Sequence, residues 1–197
     1  MEEIQIEKKE NVLKDLIQFA LIVLLVVLPI RLFIAQPFIV VGQSMEPTFE
    51  TNQYLLVDEL TYRLESPKRD QVVVFEYPYK KDMNSSSENG KAIYYIKRII
   101  GLPGETVQIK DGNVTIINKE HPEGFALSEP YLSTIKNERS FTNLTTTLKD
   151  NEYFVMGDNR GNSSDSRDWG PLEKKFIVGR AFVRLLPPQK ISFLPGN

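Results

Sequence analysis

Residues 16 to 35 read LIQFALIVLLVVLPIRLFIA, and only Gln18 and Arg31 in them are strongly polar. No other stretch of the chain is as apolar, so whatever else the chain does, it must take this run out of water. About 20 helical residues at ~1.5 Å each span ~30 Å, the hydrocarbon thickness of a bilayer. The run therefore reads as a membrane-spanning helix. A buried core helix is the alternative; Pro29, which kinks a helix, and Arg31, which has to snorkel to the interface, count in its favour. A cleavable signal peptide fits less well, because Ala35, the small residue near the end, is followed by Gln36-Pro37. Lys8, Lys9 and Lys14 precede the run and only Arg31 closely follows it, which favours an inside N-terminus, although Glu2, Glu3, Glu7, Glu10 and Asp15 weaken the signal. The expected layout is a cytoplasmic leader at 1–15, an uncleaved anchor at 16–35 and an extracytoplasmic domain at 36–197.

The chain of 197 residues is long enough for one sizeable domain with its own core. Its 24 basic and 26 acidic residues nearly cancel, to a net charge of -2, so no basic field invites nucleic acid. Cysteine is absent, which excludes disulfides, thiol nucleophiles and thiolate zinc sites.

Beyond the anchor the pattern turns to short extended runs between turn residues. YLLV (54–57), QVVVFEY (71–77), AIYYIKRII (92–100), TVQIK (106–110), NVTII (113–117), YFVM (153–156) and FIVGRAFVRLL (176–186) are rich in β-branched and aromatic residues, so the outer part reads as mostly β. Asp111-Gly112 marks a two-residue hairpin. Residues 78–91 are polar and Ser/Asn-rich, a surface loop. Residues 118–150, with few apolar clusters, read as irregular, and 106–152 as a small insertion between two halves of a core.

Chemistry can be sought in three stretches. Ser44, in GQSMEPTF (42–49), needs a base to act as a nucleophile. The sole histidine, His121, sits in the turn-like HPEG and reads as a surface residue. Lys97 interrupts the apolar run IYYIKRII; strand alternation puts it on one face with Tyr95 and Ile99, and Arg98 on the other. A lysine so placed is either a desolvated base for a Ser-Lys pair or an edge-strand residue that discourages aggregation. GDNRGNSSDSRDWG (157–170) mixes acids, amides, hydroxyls and guanidinium groups, as a self-satisfying loop or a calcium site would, but Arg160 and Arg167 stand where a calcium loop needs oxygens.

Taken in order, the anchor, GQSMEPTF, RDQVVVF, YIKRIIGLPGE and GDNRGNSSDSR resemble the type I signal peptidases, membrane-bound serine proteases that remove signal peptides from exported proteins. The resemblance covers nearly the whole chain and is similar to the smaller bacterial forms, particularly the Gram-positive ones. It implies a single-pass anchor followed by a coiled β-sheet or partly open barrel of the signal peptidase and repressor-protease type. It implies Ser44 as nucleophile and Lys97 as general base, with Ser163 hydrogen-bonding and orienting the lysine amine. Arg98, Asp158, Arg160, Asp165 and Arg167 are implied as structural supports, and Ser166 belongs to the same motif. Phe38, Val40, Met45 and Tyr95 are expected to line shallow pockets for small side chains one and three residues before the cut. Gly42 stands where some members carry a serine hydroxyl for the oxyanion, so the backbone at Ser44 and Gly42 has to serve.

The expected partners are signal peptides of exported preproteins and the lipid bilayer, near the secretion translocase, with no nucleic acid, metal or cofactor. Two other readings share parts of this pattern. A membrane-tethered assembly factor on the same fold would not need Ser44 and Lys97, and a self-cleaving repressor would not need the span.

Overall fold

The computed structural model describes residues 2–27, 35–78, 92–132 and 143–196. Glu2–Ile22 form an α-helix that continues into a π-helical turn, Val23–Val27. The helix runs straight across the expected boundary between leader and anchor. Charged residues from Glu2 to Asp15 occupy its first part, and among the described residues no helix is long and apolar enough to cross a membrane. Residues 28–34 of the apolar run lie outside the described residues. Ala35, expected as the last residue of the anchor, instead opens a strand, β1 (Ala35–Ile39). Leu16, Ile17, Phe19, Ile22, Leu24 and Leu25 of the helix and turn are each about half exposed or more.

The strands that follow are β2 (Tyr54–Asp58), β3 (Val72–Glu76), β4 (Tyr94–Gly101), β5 (Thr106–Lys110) and β6 (Asn113–Ile117). After them come β7 (Phe125–Ala126), β8 (Leu144–Thr147), β9 (Glu152–Met156), β10 (Leu172–Glu173), β11 (Ile177–Leu186) and β12 (Ser192–Phe193). The main sheet runs β1-β2-β11-β3-β4-β9-β10, with β12 also paired to β11, and the second sheet runs β7-β6-β5-β8. Adjacent strands pair antiparallel throughout both sheets.

The β-branched run of β3 is buried on both sides, which places it at the centre of the main sheet. Val72 packs with Val40, Met45, Phe49, Leu55 and Ala181 on one face. Val73 and Phe75 pack with Ile99, Tyr153, Val155 and Leu172 on the other. A third cluster joins Ile100, Phe154 and Met156 to Val107, Ile109, Val114 and Ile116, which fastens the second sheet to the end of β4 and β9. Between β5 and β6, Asp111 and Gly112 both have positive φ, 49° and 79°, the backbone a two-residue I′ turn demands.

β1 and β4 stand far apart in the strand order, yet the Phe38 and Tyr94 rings meet with centroids 5.3 Å apart. The main sheet has therefore coiled back on itself. Among the described residues no ladder joins β1 to β4, so the barrel stays open along this line.

Gly179 of β11 lies tight against β2: a Cβ there would lie 2.4 Å from the Asp58 carbonyl oxygen. Because the obstacle is backbone, Gly179→Ala should cost about 2 kcal/mol in chemical denaturation. A loss under about 0.5 kcal/mol would show that the two strands yield freely.

Candidate active site

Residues 42–49 form a chain of turns between β1 and β2. The Phe49 N–H donates to the Met45 carbonyl at 2.9 Å, and both side chains are sunk in the core, so the turn has a fixed floor. Three bonds fasten it to the loop after β9. The Asn159 N–H donates to the Ser44 carbonyl at 3.0 Å, the Thr48 hydroxyl to Asp158 and the Asn162 amide to Gln43 Oε1 at 3.0 Å. Gly157 makes this closeness possible: a Cβ there would sit 2.3 Å from Ser163 Oγ and 2.4 Å from the Ser44 carbonyl.

Lys97 reaches the same place from β4. Its amine lies 2.8 Å from Ser44 Oγ and donates to its neighbour Ile96's carbonyl at 2.9 Å. Tyr95, on the same face of the strand, has its ring centroid 5.3 Å from the amine. Only 4% of Lys97 is exposed, so the edge-strand alternative is removed. Burial pushes the amine down from 10.5 to about 8; Asp165 and Asp158 pull the other way, and Arg167 assists the fall. At pH 7.5 an amine of pKa about 8 is about a quarter neutral, whereas an unperturbed one would be neutral in about one molecule in a thousand.

The expected supports form a buried network behind the pair. Arg98 holds Asp158 in a two-point ion pair, Nε to Oδ1 at 2.8 Å and Nη2 to Oδ2 at 2.6 Å, and also donates to the Asp70 carbonyl at 2.6 Å. Breaking a pair this dry costs about 3–5 kcal/mol, because the surviving charge has no water. Asp165 accepts from Arg167 Nε and Nη2, both at 2.8 Å, and from the Gly157 N–H at 3.1 Å. Those bonds hold the Asp165 carboxyl below its ordinary value although burial alone would raise it. Arg160 donates through Nε to the Gly157 carbonyl at 3.1 Å and ion-pairs with Glu129. Ser166 Oγ accepts the Val155 N–H at 3.0 Å.

Other expectations need correction. Ser163 is buried beside Gly157, but its hydroxyl makes no well-formed hydrogen bond to Lys97 or to any other described group; it lies close enough to Asp165 to favour that carboxylate. The Lys97 amine is turned to Ser44 and the Ile96 carbonyl instead. Gly42 has φ of 97°, and its N–H is directed to the Thr51 hydroxyl at 3.2 Å, so it is not free for an oxyanion. The Ser44 N–H has no acceptor among the described residues. Met45 is sunk in the core at 1% exposure and does not line the cleft beside Ser44.

A cleft of about 440 Å³ opens beside Ser44 and Lys97. Phe38, Val40 and Tyr95 line it, joined by Ile39, Val41, Leu55, Val74, Ile93, Tyr94, Ile96 and Ser164, which the sequence did not single out. His121 is exposed, 3.5 Å from Glu123, in a different cleft with Arg69 and Phe125. Gly157, Thr48 and Glu129 were also missed; of these only Gly157 carried a signal, as the glycine that opens the 157–170 motif.

Residues 13–186 match the model of a protein family described as signal peptidase, peptidase S26. The chain belongs to the signal peptidase family. Signal peptidase I of Bacillus amyloliquefaciens is 35% identical over 197 residues, covering 96% of this chain and 92% of that protein. Probable signal peptidase I-2 of Synechocystis sp. is 33% identical over 188 residues, covering 95% of this chain and 80% of that protein. A crystal structure of a signal peptidase I from Enterococcus faecalis V583 matches 59% of this chain and 97% of its own, with 28% identity and a TM-score of 0.45. The match to the signal peptidase family takes in the Ser44 turn, β4 and the loop after β9 together.

Nitrogen-15 NMR of the Lys97 side chain should show a titration midpoint of about 8. A midpoint near the ordinary 10.5 would mean that the amine is solvated and the burial has been misread.

Proposed function

We propose that this chain is a membrane-anchored serine endopeptidase that cuts signal peptides from exported preproteins, with Ser44 as nucleophile and Lys97 as general base. The observation that carries the reading is the 2.8 Å approach of a buried, readily neutral amine to Ser44 Oγ. Neutral Lys97 takes the hydroxyl proton as Oγ attacks the scissile carbonyl carbon. The oxygen that gains charge is met by the Ser44 N–H, a donor worth about 3 kcal/mol in such a role. Protonated Lys97 returns the proton to the leaving amine, the mature protein departs, and the signal segment stays as an ester on Ser44. Water then attacks the ester, giving its proton to Lys97, which passes it to Ser44 Oγ as the acyl–oxygen bond breaks; the signal segment leaves as a carboxylic acid and Ser44 is restored.

Ser163 fits the charged stage of this cycle. An ammonium has three protons to donate, while Ser44 Oγ and the Ile96 carbonyl accept only two, and the third is assigned to the Ser163 hydroxyl, which is buried beside Gly157 without a well-formed hydrogen bond of its own. Arg98, Asp158, Arg160, Asp165 and Arg167 are assigned as supports of the pair.

Substrate choice follows from the gap in the barrel. β1 pairs only with β2 among the described residues, and residues 94–96 pair with β3 alone because β9 joins β4 from Arg98 onward. An extended peptide can hydrogen-bond between these two open edges. Alternate residues of such a peptide face the same wall, so the side chains one and three before the cut both enter the cleft. Leu55, Val74 and Ile96 add apolar bulk to its lining, which supports a preference for alanine-sized groups. The exposed leucines, isoleucines and Phe19 of the N-terminal helix support a lipid-embedded anchor, with a cytoplasmic N-terminus and the domain from residue 36 outside.

Ser44→Ala and Lys97→Ala should each abolish processing of an exported precursor and leave the thermal melt intact. In the parent enzyme kcat/KM should climb through pH 8, since the base works only when deprotonated and its protonated form prevails below about 8. Processing by either variant at the parent rate, or a rate falling from pH 6 to 9, would refute the assignment.

A further inference from the structure

Resting on that reading, we propose that Glu129 and Tyr131 are positioning residues that clamp Arg160 and Arg98, the two buried arginines tying the Ser44 turn to its surroundings. Both lie in the stretch after β7 that the sequence presents as irregular, docked on the second sheet where the Leu127 N–H donates to the Val114 carbonyl at 2.8 Å. Neither lines the Ser44 cleft.

Glu129 faces Arg160 with both carboxylate oxygens, one bonded to Nη2 and the other 3.3 Å from Nη1, and each side chain is 8% exposed. Arg160 in turn holds the Gly157 carbonyl at 3.1 Å and offers its own carbonyl to Arg167 at 2.7 Å. Gly157 is the residue on which the Ser44 carbonyl and Ser163 rest. Without Glu129 the guanidinium would be a buried charge with no counter-ion, free to swing toward Asp165 and to release Gly157.

Tyr131 makes the second link. Its ring lies 3.8 Å from the Arg98 guanidinium carbon, and its hydroxyl donates to Glu129 Oε1 at 3.2 Å. The ring keeps Arg98 flat against Asp158, which receives the Thr48 hydroxyl of the serine turn. Two chains of contact thus start from one three-residue segment and end on the serine turn, one at the Ser44 carbonyl and the other at Thr48. The effect is on geometry rather than on substrate contact, so it should appear in kcat and leave KM alone; a misplacement of about 1 Å costs about 100-fold.

The test uses the full chain in detergent and a fluorogenic peptide with alanine one and three residues before the cut. Glu129→Gln and Tyr131→Leu should each lower kcat per folded molecule by about tenfold or more, with KM within about twofold, while Glu129→Asp and Tyr131→Phe recover kcat to within about threefold. The folded fraction is read from each variant's cooperative melt. Should Glu129→Gln fail to melt cooperatively, Tyr131→Leu and Glu129→Asp decide the matter. A kcat for Tyr131→Leu within about twofold of the parent, or losses that only follow the folded fraction, would overturn the clamp. Ser44→Ala and Lys97→Ala run as controls: if they cut the peptide, the catalytic reading itself fails and the clamp falls with it.

Discussion

The Lys97 amine, on a residue buried to 4% exposure, meets the Ser44 hydroxyl oxygen at 2.8 Å. Dryness is what makes an amine useful as a base, because the ammonium form loses its hydration and the proton leaves more easily. Two carboxylates threaten that condition, since Asp165 and Asp158 both favour the charged amine. Each is occupied by an arginine, Arg167 on Asp165 and Arg98 on Asp158. Burial outweighs both carboxylates at the amine, and Arg167 adds to its effect.

The same economy of parts governs the cleft. A sheet that coils without closing has two strand edges left over, and here they are β1 and the start of β4. The Phe38–Tyr94 contact bridges the gap, while Ser44 and Lys97 lie along it. The opening that denies the barrel its last ladder therefore leaves strand edges without a partner strand, among the described residues, along the cleft that holds Ser44 and Lys97.

Much of this was legible in residue order. The seven β-branched and aromatic runs became β2, β3, β4, β5, β6, β9 and β11, and the alternation in IYYIKRII put Lys97 and Arg98 to their separate tasks. β1 was hidden because AQPFI continues an apolar run and contains Pro37, which only an edge strand tolerates. β7, β10 and β12 have two residues each, too few to show a period, and β8 is mostly threonine. At the site, Ser44, Lys97 and the ionic residues around them stand in motifs that the family resemblance singles out. Contacts set by tertiary packing do not: Met45 turning inward, the Gly42 N–H turning to Thr51, and Glu129 arriving from the stretch after β7 have no local pattern.

The central claim is that Ser44 carries the signal segment as an ester while Lys97 waits to receive a second proton. Intact-protein and peptide-level mass spectrometry after rapid acid quench of the enzyme with a saturating alanine-containing precursor tests it directly. The account predicts an added mass equal to the signal segment on the peptide that contains Ser44, and its absence from the Lys97→Ala protein. Steady precursor cleavage with no adduct at any time, or with the adduct on another residue, would contradict it.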